Sequence, residues 1–384
     1  MKVMKKAKDI YSKILKTSSK SYEAYYEMAL MEKDREELWQ AEDIAGKLMV
    51  VWRYTGLNLA LLDNLGELKG MTPDFCNESL SLLRLKRQAL QKNDLAQQSD
   101  LYVFCDGPKQ NATIEQIAKV QEVQSFAEHI SGFKNVYLTK QSQNKGLANS
   151  VINGVSNIIK KHGRVIVVED DIITHPFFLR FMNDVLSFYE KDKRIYTIGG
   201  MTDEIDFPKN YNKDVLVSQR VESWGWATWA DRWFSAEWDI TKYPILRKRR
   251  RKDISKFCRG GDDLWPMLQA QAKGEIDSWA VRWQYNMSQQ NKWCLRPVYS
   301  FVTNVGLDGS GVHCGSSDTG TAKTTPLYRL DSYNIKLEHN IKENGRIRES
   351  YRRYYSIKPQ EPVIIRAKVF VYNILLKVKK HLSF

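Results

Sequence analysis

The sequence predicts an α/β fold with a mostly parallel sheet flanked by helices, and three observations support this prediction. From residue 99, short apolar runs alternate with segments of helical periodicity. The run at 164–171 passes from Val-Ile-Val-Val directly into Glu169, Asp170 and Asp171, as expected of a strand buried on both faces of a parallel sheet. An earlier apolar run likewise ends in Asp106. Strand–helix alternation is typical of a doubly wound sheet, because parallel strands need crossover connections.

The elements of residues 99–200 follow in order. The predicted strands are SDLYVFCDGPK, NVYLTKQ, RVIVVEDD and RIYTIGG. The predicted helices are EQIAKVQEVQSFAEHI, GLANSVINGVSNIIKKHG and PFFLRFMNDVLSFYEK. Thr174, followed by Pro176, is the predicted start signal of the last helix.

The flanking regions have different patterns. Residues 1–98 predict a helical N-terminal extension that includes a helix over LSLLRLKRQALQKN. Residues 201–315 are rich in Trp and Gly and form the second half of a domain spanning 99–315. Residues 316–384 are a tail that ends in a basic amphipathic helix, PVIIRAKVFVYNILLKVKKHLSF. Such a helix predicts contact with an anionic membrane surface, and docking on the protein body is the alternative.

Composition limits the partners and the location. The net charge of +14 favours anionic partners, and the absence of a nucleic-acid-binding motif leaves phosphorylated substrates and membranes. The cationic run at 247–252 fits either of these, or is simply a solvated loop. The five cysteines form no CxxC pair, which favours a reducing compartment. We therefore expect a cytoplasmic protein, peripheral at the inner face of the membrane.

The acidic triplet at 169–171 is a candidate metal site. Adjacent carboxylates repel one another unless a cation or proton offsets their charge. A hard divalent cation with oxygen ligands is the simplest such partner, and open α/β sheets bind ligands at the carboxyl ends of their strands. A solvated acidic turn remains the alternative.

Three further positions carry candidate chemistry, each with a structural alternative. Asp106 precedes Gly-Pro, so it is either a ligand contact or a turn former. Asn144, Lys145 and Gly146 open a predicted helix, and a helix N-terminus favours phosphate. The alternative for Lys145 is a solvated side chain. Asp277 is a candidate general base, or a cap of the helix that begins at SWAVRW.

An ordered set of motifs carries a family resemblance. The strand ending in Asp106, QNKGLANSVINGV, VVEDD, WGWATWADRW and DSWAVRW…NVGLDGSGVHCG occur in that order over residues 99–315. The set resembles bacterial glycosyltransferases of the GT-A fold related to N-acetylglucosaminyltransferase I. The resemblance implies transfer of a sugar from a nucleotide-diphosphate donor, with a UDP-sugar favoured, to a glycan or lipid-linked acceptor in surface polysaccharide synthesis. It also implies inversion, a Mn²⁺ or Mg²⁺ cofactor, a nucleotide and metal half at 99–200 and an acceptor half at 201–315.

The resemblance also implies roles for the acidic residues. Asp171 becomes the direct metal ligand, while Glu169 and Asp170 position the ribose and metal-bound water. Asp106 contacts the nucleoside. Asp277 becomes the base, which we expect to be partly desolvated by Trp279 and Trp283, with Glu275 as its substitute.

The remaining implied donor contacts are Lys145 with the diphosphate, a wall formed by Trp224, Gly225 and Trp226, and His313 with the metal or diphosphate. For the outer tryptophans of this region, core packing is the favoured interpretation. A structural role is the alternative for His313.

The chain departs from the family at its first strand. The apolar strand followed by Asn-Arg-Pro is absent, and KLMVVWRYTG at 47–56 is the predicted substitute. Without a substitute, the chain would be a catalytically impaired nucleotide-sugar or glycan-binding protein. A nucleotidyltransferase on a similar sheet is the other alternative.

Overall fold

The computed structural model describes residues 47–52, 87–304, 324–329 and 332–356. Within them an eight-stranded sheet has the order β3-β2-β1-β4-β8-β6-β9-β7, and β10 and β5 form a two-stranded sheet. The strands are β1 Lys47–Trp52, β2 Asp100–Cys105, β3 Asn135–Lys140, β4 Arg164–Glu169, β5 Ile172–Thr174, β6 Ile195–Gly199, β7 Val215–Ser218, β8 Trp226–Trp229, β9 Trp293–Pro297 and β10 Val302–Asn304.

The helices lie between these strands and after them. They are α1 Ile114–Glu128, α2 Leu147–His162, α3 Phe178–Phe188, α4 Ala230–Trp233, α5 Pro244–Lys248, α6 Arg251–Phe257, α7 Leu264–Lys273, α8 Trp279–Gln289 and α9 Gly345–Tyr354. Short 3-10 turns occupy Ala96–Gln98, Ile240–Lys242 and Cys258–Gly260. Within the described part of the chain, each helix is too short or too polar to traverse a bilayer.

The predicted α/β class with a mostly parallel sheet is confirmed. Strands β3, β2, β1 and β4 are parallel neighbours, and the antiparallel pairings begin where β8 joins β4. Helices α1 and α2 are the crossovers that return the chain to the same end of the sheet, which parallel pairing requires. The seven strands and helices predicted between residues 99 and 200 are all present.

The predicted substitute for the missing first strand is also confirmed. Lys47–Trp52 pairs in parallel with β2 on one side and with β4 on the other, so it lies inside the sheet. Residues 87–91, at the end of the predicted LSLLRLKRQALQKN helix, are helical. The rest of the N-terminal extension and the C-terminal basic helix lie outside the described residues.

Strand β4 is buried on both faces, as its apolar run predicts. Val165 and Val167 pack into one hydrophobic cluster with the apolar face of α2, whereas Ile166 and Val168 pack into a second cluster with α3. Because alternate strand residues point to opposite faces, a continuous apolar run satisfies both cores at once.

The predicted start signal of α3 is wrong. Thr174 ends β5, and the helix begins at Phe178 with no capping bond from its own N-cap residue. Instead, the buried Asn93 accepts a hydrogen bond from the Leu179 amide at 2.9 Å and donates one to Thr174 Oγ1 at 3.0 Å. The acceptor comes from a residue 86 positions earlier, so a local sequence signal could not reveal it.

His175 provides a test of this packing by pH. It lies buried against Phe301 and Tyr328, and burial lowers its pKa from 6.5 to about 3. Between these two pH values the unfolded chain binds a proton that the folded protein excludes, so stability falls as pH falls below 6.5. The loss is about 1.4 kcal/mol per pH unit from this one group.

We therefore expect His175→Asn to flatten the pH dependence of the free energy of unfolding between these limits, measured by urea titration. Asparagine retains an acceptor close to that of His175 Nδ1, which the Phe177 amide contacts at 3.2 Å. His129→Asn, at an exposed position, is the matched control and should leave the slope unchanged. An unchanged slope in His175→Asn would contradict the assignment.

Candidate functional site

The carboxyl ends of β2, β1 and β4 form the edge that carries the predicted site. Val51 in β1 is level with Phe104 in β2 and with Glu169 in β4. Asp106 and the acids that follow Glu169 therefore emerge at the same edge. The chain reaches β4 from β3 across β1, so this edge is also the switch point at which open α/β sheets bind ligands.

Asp106 joins the end of β2 to the start of α2. Its Oδ1 accepts hydrogen bonds from the Gly107 amide at 3.0 Å and from the Lys145 amide at 2.9 Å. Its Oδ2 is buried and has no hydrogen-bond partner among the described residues. One carboxylate oxygen of Asp106 thus fixes the segment between β2 and α2, and the other remains available for a ligand.

The predicted helix start after Asn144, Lys145 and Gly146 is confirmed. Gly146 is the N-cap of α2, with φ 77° and ψ 160°, a conformation that only glycine adopts readily. The amides of Lys145 and Ala148 at this turn are hydrogen-bonded to the carboxylates of Asp106 and Asp277. The turn therefore already binds two anionic groups, and the Lys145 side chain is exposed beside them.

Asp277 lies against this same turn. Its Oδ2 accepts a hydrogen bond from the Ala148 amide at 3.2 Å, and its Oδ1 pairs with Arg282 Nη2 at 3.2 Å. These two contacts fix the orientation of the carboxylate. Asp277 thus contributes to the N-terminus of α2, whereas α8 is capped by Ser278, which accepts from the Val281 amide.

Asp277 is half-buried, and the two tryptophans expected to flank it lie in the core. The Asp277 side chain is 45% exposed, whereas Trp279 and Trp283 are buried in the core. The proposed substitute Glu275 is exposed and pairs with Lys273 at 3.3 Å. Of the two carboxylates, Asp277 is the one that contacts the start of α2.

The acids of the triplet point to different neighbours. Glu169 Oε1 accepts a hydrogen bond from Trp279 Nε1 at 3.3 Å, and Asp171 Oδ2 accepts one from Asn304 Nδ2 at 2.8 Å. Burial raises the pKa of Cys105 to about 12, and the nearby negative charge of Asp170 adds to the shift. Asp170 therefore lies close to the end of β2, while Glu169 is directed towards α8.

The residues at this edge suit a metal that is shared with a substrate. The described residues contain no group of three or more His, Cys, Asp or Glu side chains arranged to hold a metal ion. Mg²⁺-type sites often use one or two carboxylates together with substrate phosphates, and Asp171 provides such a carboxylate. His313, the other candidate near the metal, lies outside the described residues.

The three residues of the predicted donor wall lie in three different environments. Trp224 is partly buried and lines a cavity, as a wall residue would. Gly225 has φ 66°, and a Cβ there would lie 2.9 Å from Val302, so the glycine is required by packing. Trp226 is fully buried and stacks on Trp279 with ring centroids 4.7 Å apart, so its ring lies in the core rather than in a cavity wall.

The interpretation of the outer tryptophans as core residues is correct for Trp229 and Trp233, which are both buried. Sequence reasoning missed Asn304 and Arg282, the partners of Asp171 and Asp277. Arg282 lies five residues after Asp277, near the start of α8, so this spacing was an available signal. No local signal pointed to Asn304, which reaches Asp171 only through the pairing of β10 with β5.

No protein-family model and no curated protein matches the chain. Among solved structures, it is similar to the mannosyltransferase PcManGT from Pyrobaculum calidifontis in complex with GDP-Man and Mn²⁺, with 11% identity over 74% of this chain and 81% of that chain and a TM-score of 0.31. It is also similar to a Bacillus anthracis protein described as a glucose-1-phosphate thymidylyltransferase, with 9% identity over 72% and 99% of the two chains and a TM-score of 0.33.

A third similar structure is S. aureus TarS, residues 1–349, with 13% identity over 48% of this chain and 47% of that chain and a TM-score of 0.27. Likenesses at these TM-scores carry no argument about function. The functional argument therefore rests on the residues that meet at the edge of the sheet.

The two glycines at the ends of α2 provide a matched test of the site. Gly146 and Gly163 both have positive φ, but a Cβ on Gly146 would lie 3.1 Å from Asp277 Oδ2, whereas one on Gly163 meets nothing within 4 Å. We expect Gly163→Ala to cost about 1 kcal/mol of stability from left-handed strain alone. Gly146→Ala should cost about 2–3 kcal/mol, because its conformation is rarer and Asp277 must move.

The measurement is urea unfolding of both variants beside the unsubstituted protein. Equal losses for the two variants would show that Asp277 does not pack against Gly146.

Proposed function

We propose that this chain is a metal-dependent glycosyltransferase that transfers a sugar from a nucleotide-diphosphate donor to a glycan or lipid-linked acceptor. One observation carries the proposal: Asp106 and Asp277, 171 residues apart in the chain, bind the same N-terminal turn of α2 at the switch point of the sheet. Glu169 joins them through the indole of Trp279, the first residue of α8, two positions after Asp277. Carboxylates held together at this edge suit a metal-bound, phosphorylated substrate.

The donor would bind over the carboxyl ends of β2, β1 and β4. Asp171 would hold the Mn²⁺ or Mg²⁺, which supplies Lewis-acid stabilisation of the departing diphosphate. Asp106, with its free buried oxygen, would contact the nucleoside, and Glu169 and Asp170 would orient the ribose and metal-bound water. Lys145 would add a positive charge near the diphosphate. A UDP-sugar is the favoured donor.

The acceptor hydroxyl would react beside Asp277. Its oxygen forms a bond to the anomeric carbon of the donor sugar, and its proton passes to the Asp277 carboxylate. The bond from the anomeric carbon to the diphosphate oxygen breaks, and the electron pair leaves with the nucleoside diphosphate. A single base and direct displacement invert the configuration at the anomeric carbon.

The setting we propose is surface polysaccharide synthesis at the inner face of the cytoplasmic membrane. The exposed cations of 247–252 would face anionic head groups or substrate phosphates, and the basic segment at the C-terminus would add to membrane contact.

The alternative of an impaired binding protein depended on a missing first strand. Because Lys47–Trp52 pairs with a strand on each side, that reason for impairment is weakened. The nucleotidyltransferase alternative differs in its product, because it releases pyrophosphate rather than a nucleoside diphosphate. A product assay on a panel of UDP- and GDP-sugars with Mn²⁺ therefore separates transfer, nucleotidyl chemistry and binding alone.

The role of Asp277 as base predicts a selective loss of turnover. Asp277→Asn should lower the rate of sugar transfer by at least about a hundredfold, because it removes the proton acceptor. Calorimetry should show unchanged affinity for the nucleotide. Glu275→Gln, two positions away, is the matched control and should retain activity. Activity lost in Glu275→Gln but kept in Asp277→Asn would transfer the base role to Glu275.

The role of Asp171 predicts coupling between metal and nucleotide. Mn²⁺ should increase the affinity for UDP by about tenfold or more, because the diphosphate completes the coordination of the ion. In Asp171→Asn this gain should disappear, while UDP alone binds as before. Asp239→Asn, at an exposed loop carboxylate, is the control. Calorimetric titrations with and without Mn²⁺ measure the effect, and an undiminished gain in Asp171→Asn would contradict the metal role.

A further inference from the structure

A cavity of about 270 Å³ opens along one side of α8. Its inner side is formed by Ala280, Val281 and Gln284 of that helix, and Trp224 lies among its other lining residues. Tyr355, directly after α9, also borders it. The volume is slightly below the range of about 300–1,000 Å³ usual for drug-sized ligands, so it suits a single ring.

The polar side of this cavity is built from buried ion pairs. Arg296 Nη1 lies 3.0 Å from Glu222 Oε2 and 3.1 Å from Asp203 Oδ2, and all three side chains are almost completely buried. Glu222 Oε1 accepts hydrogen bonds from the amides of Ser223 and Trp224, which fixes its carboxylate at the cavity. Tyr355 donates its hydroxyl to Asp203 Oδ1 at 2.5 Å.

The charges of this wall disfavour an anionic ligand. Arg220 donates hydrogen bonds to both carboxylate oxygens of Asp263 at 2.9 Å, so Asp263 offsets the positive charge of Arg220. Arg296 is shared between the carboxylates of Glu222 and Asp203, which leaves one carboxylate in excess. A phosphate would add to this excess, whereas neutral hydroxyls can donate to the carboxylate oxygens.

The cavity lies close to the proposed base. Asp277 directly precedes the N-cap of α8, and Ala280 and Gln284, which line the cavity, share one face in the first turns of that helix. The Cα atoms of residues 277 and 280 are at most about 11 Å apart, because they are three residues apart in the chain. An acceptor with a ring beside Ala280 would therefore lie near Asp277.

We propose that this cavity binds the acceptor as a neutral, unphosphorylated sugar ring, packed on Trp224 and hydrogen-bonded to Glu222 and Asp203. The proposal rests on the proposed glycosyltransferase function and specifies its acceptor: the group that enters the cavity is a sugar ring, and any phosphate of a lipid-linked acceptor stays outside.

The test fills the cavity in steps. Ala280→Leu and Ala280→Phe place progressively larger side chains in it, and Ala272→Leu and Ala272→Phe, at an exposed position of α7, are the matched controls. The probes are methyl glycosides of glucose, galactose and N-acetylglucosamine, with inorganic phosphate as the anionic probe. Binding is followed by saturation-transfer NMR, and thermal melts confirm that each variant is folded.

We expect at least one methyl glycoside to bind the unsubstituted protein, with binding weakened about tenfold or more in Ala280→Leu, further in Ala280→Phe, and unchanged in both Ala272 variants. Hydrolysis of the sugar donor by water, measured in parallel on the unsubstituted protein and on both Ala272 variants, reports separately on the donor edge.

Three results would overturn the proposal: methyl glycosides that bind Ala280→Phe as well as the unsubstituted protein, phosphate that binds in the cavity in their place, or no glycoside binding at the highest soluble concentration. A failure of the proposed glycosyltransferase function would give a different result. The unsubstituted protein would then hydrolyse no sugar donor, while the glycoside titrations would still report whether the cavity binds a sugar ring.

Discussion

The site depends on the pairing of Lys47–Trp52 between β2 and β4. Adjacent strands lie about 4.8 Å apart, so this one strand sets the ends of β2 and β4 about 10 Å from each other. Its register places Val51 level with both Phe104 and Glu169, which aligns Asp106 with the acidic triplet at one edge. Among the described strands, no other pairing joins β2 to β4, so this strand sets the spacing between the two groups of carboxylates.

A second constraint is the N-terminal turn of α2. The first amides of a helix have no partner within the helix, and the helix dipole favours negative charge there. Asp277 satisfies one of these amides, that of Ala148, and Asp106 binds the Lys145 amide just before the helix, so the two carboxylates reach the turn from opposite directions along the chain. Gly146 permits the close approach, because a side chain at this position would crowd the Asp277 carboxylate. The fold thus holds the proposed base by the same turn that holds the nucleoside contact.

The sequence predicted those parts of the molecule whose signals are local. The apolar run before Glu169 required a strand buried on both faces, and the 3.6-residue periodicity after Gly146 required a helix. The contacts missed are long-range: Asn93 at the start of α3, Asn304 on Asp171 and the Arg296 ion pairs under the cavity. In each of these a polar residue meets a partner brought close only by the sheet topology, so no periodicity or motif could indicate it.

The charge distribution bears on how substrates would arrive. The chain carries +14 overall, whereas the sheet edge presents Asp106 and the acidic triplet, and the cavity wall has an excess carboxylate. Under the proposed function, a positive field at a distance would attract a nucleotide anion, but the local carboxylates would repel its diphosphate once it is near. A divalent cation would remove this repulsion, because it would offset the negative charge of the carboxylates and of the diphosphate at the same time. A neutral sugar ring meets no such barrier, so the acidic cavity can admit it without a metal.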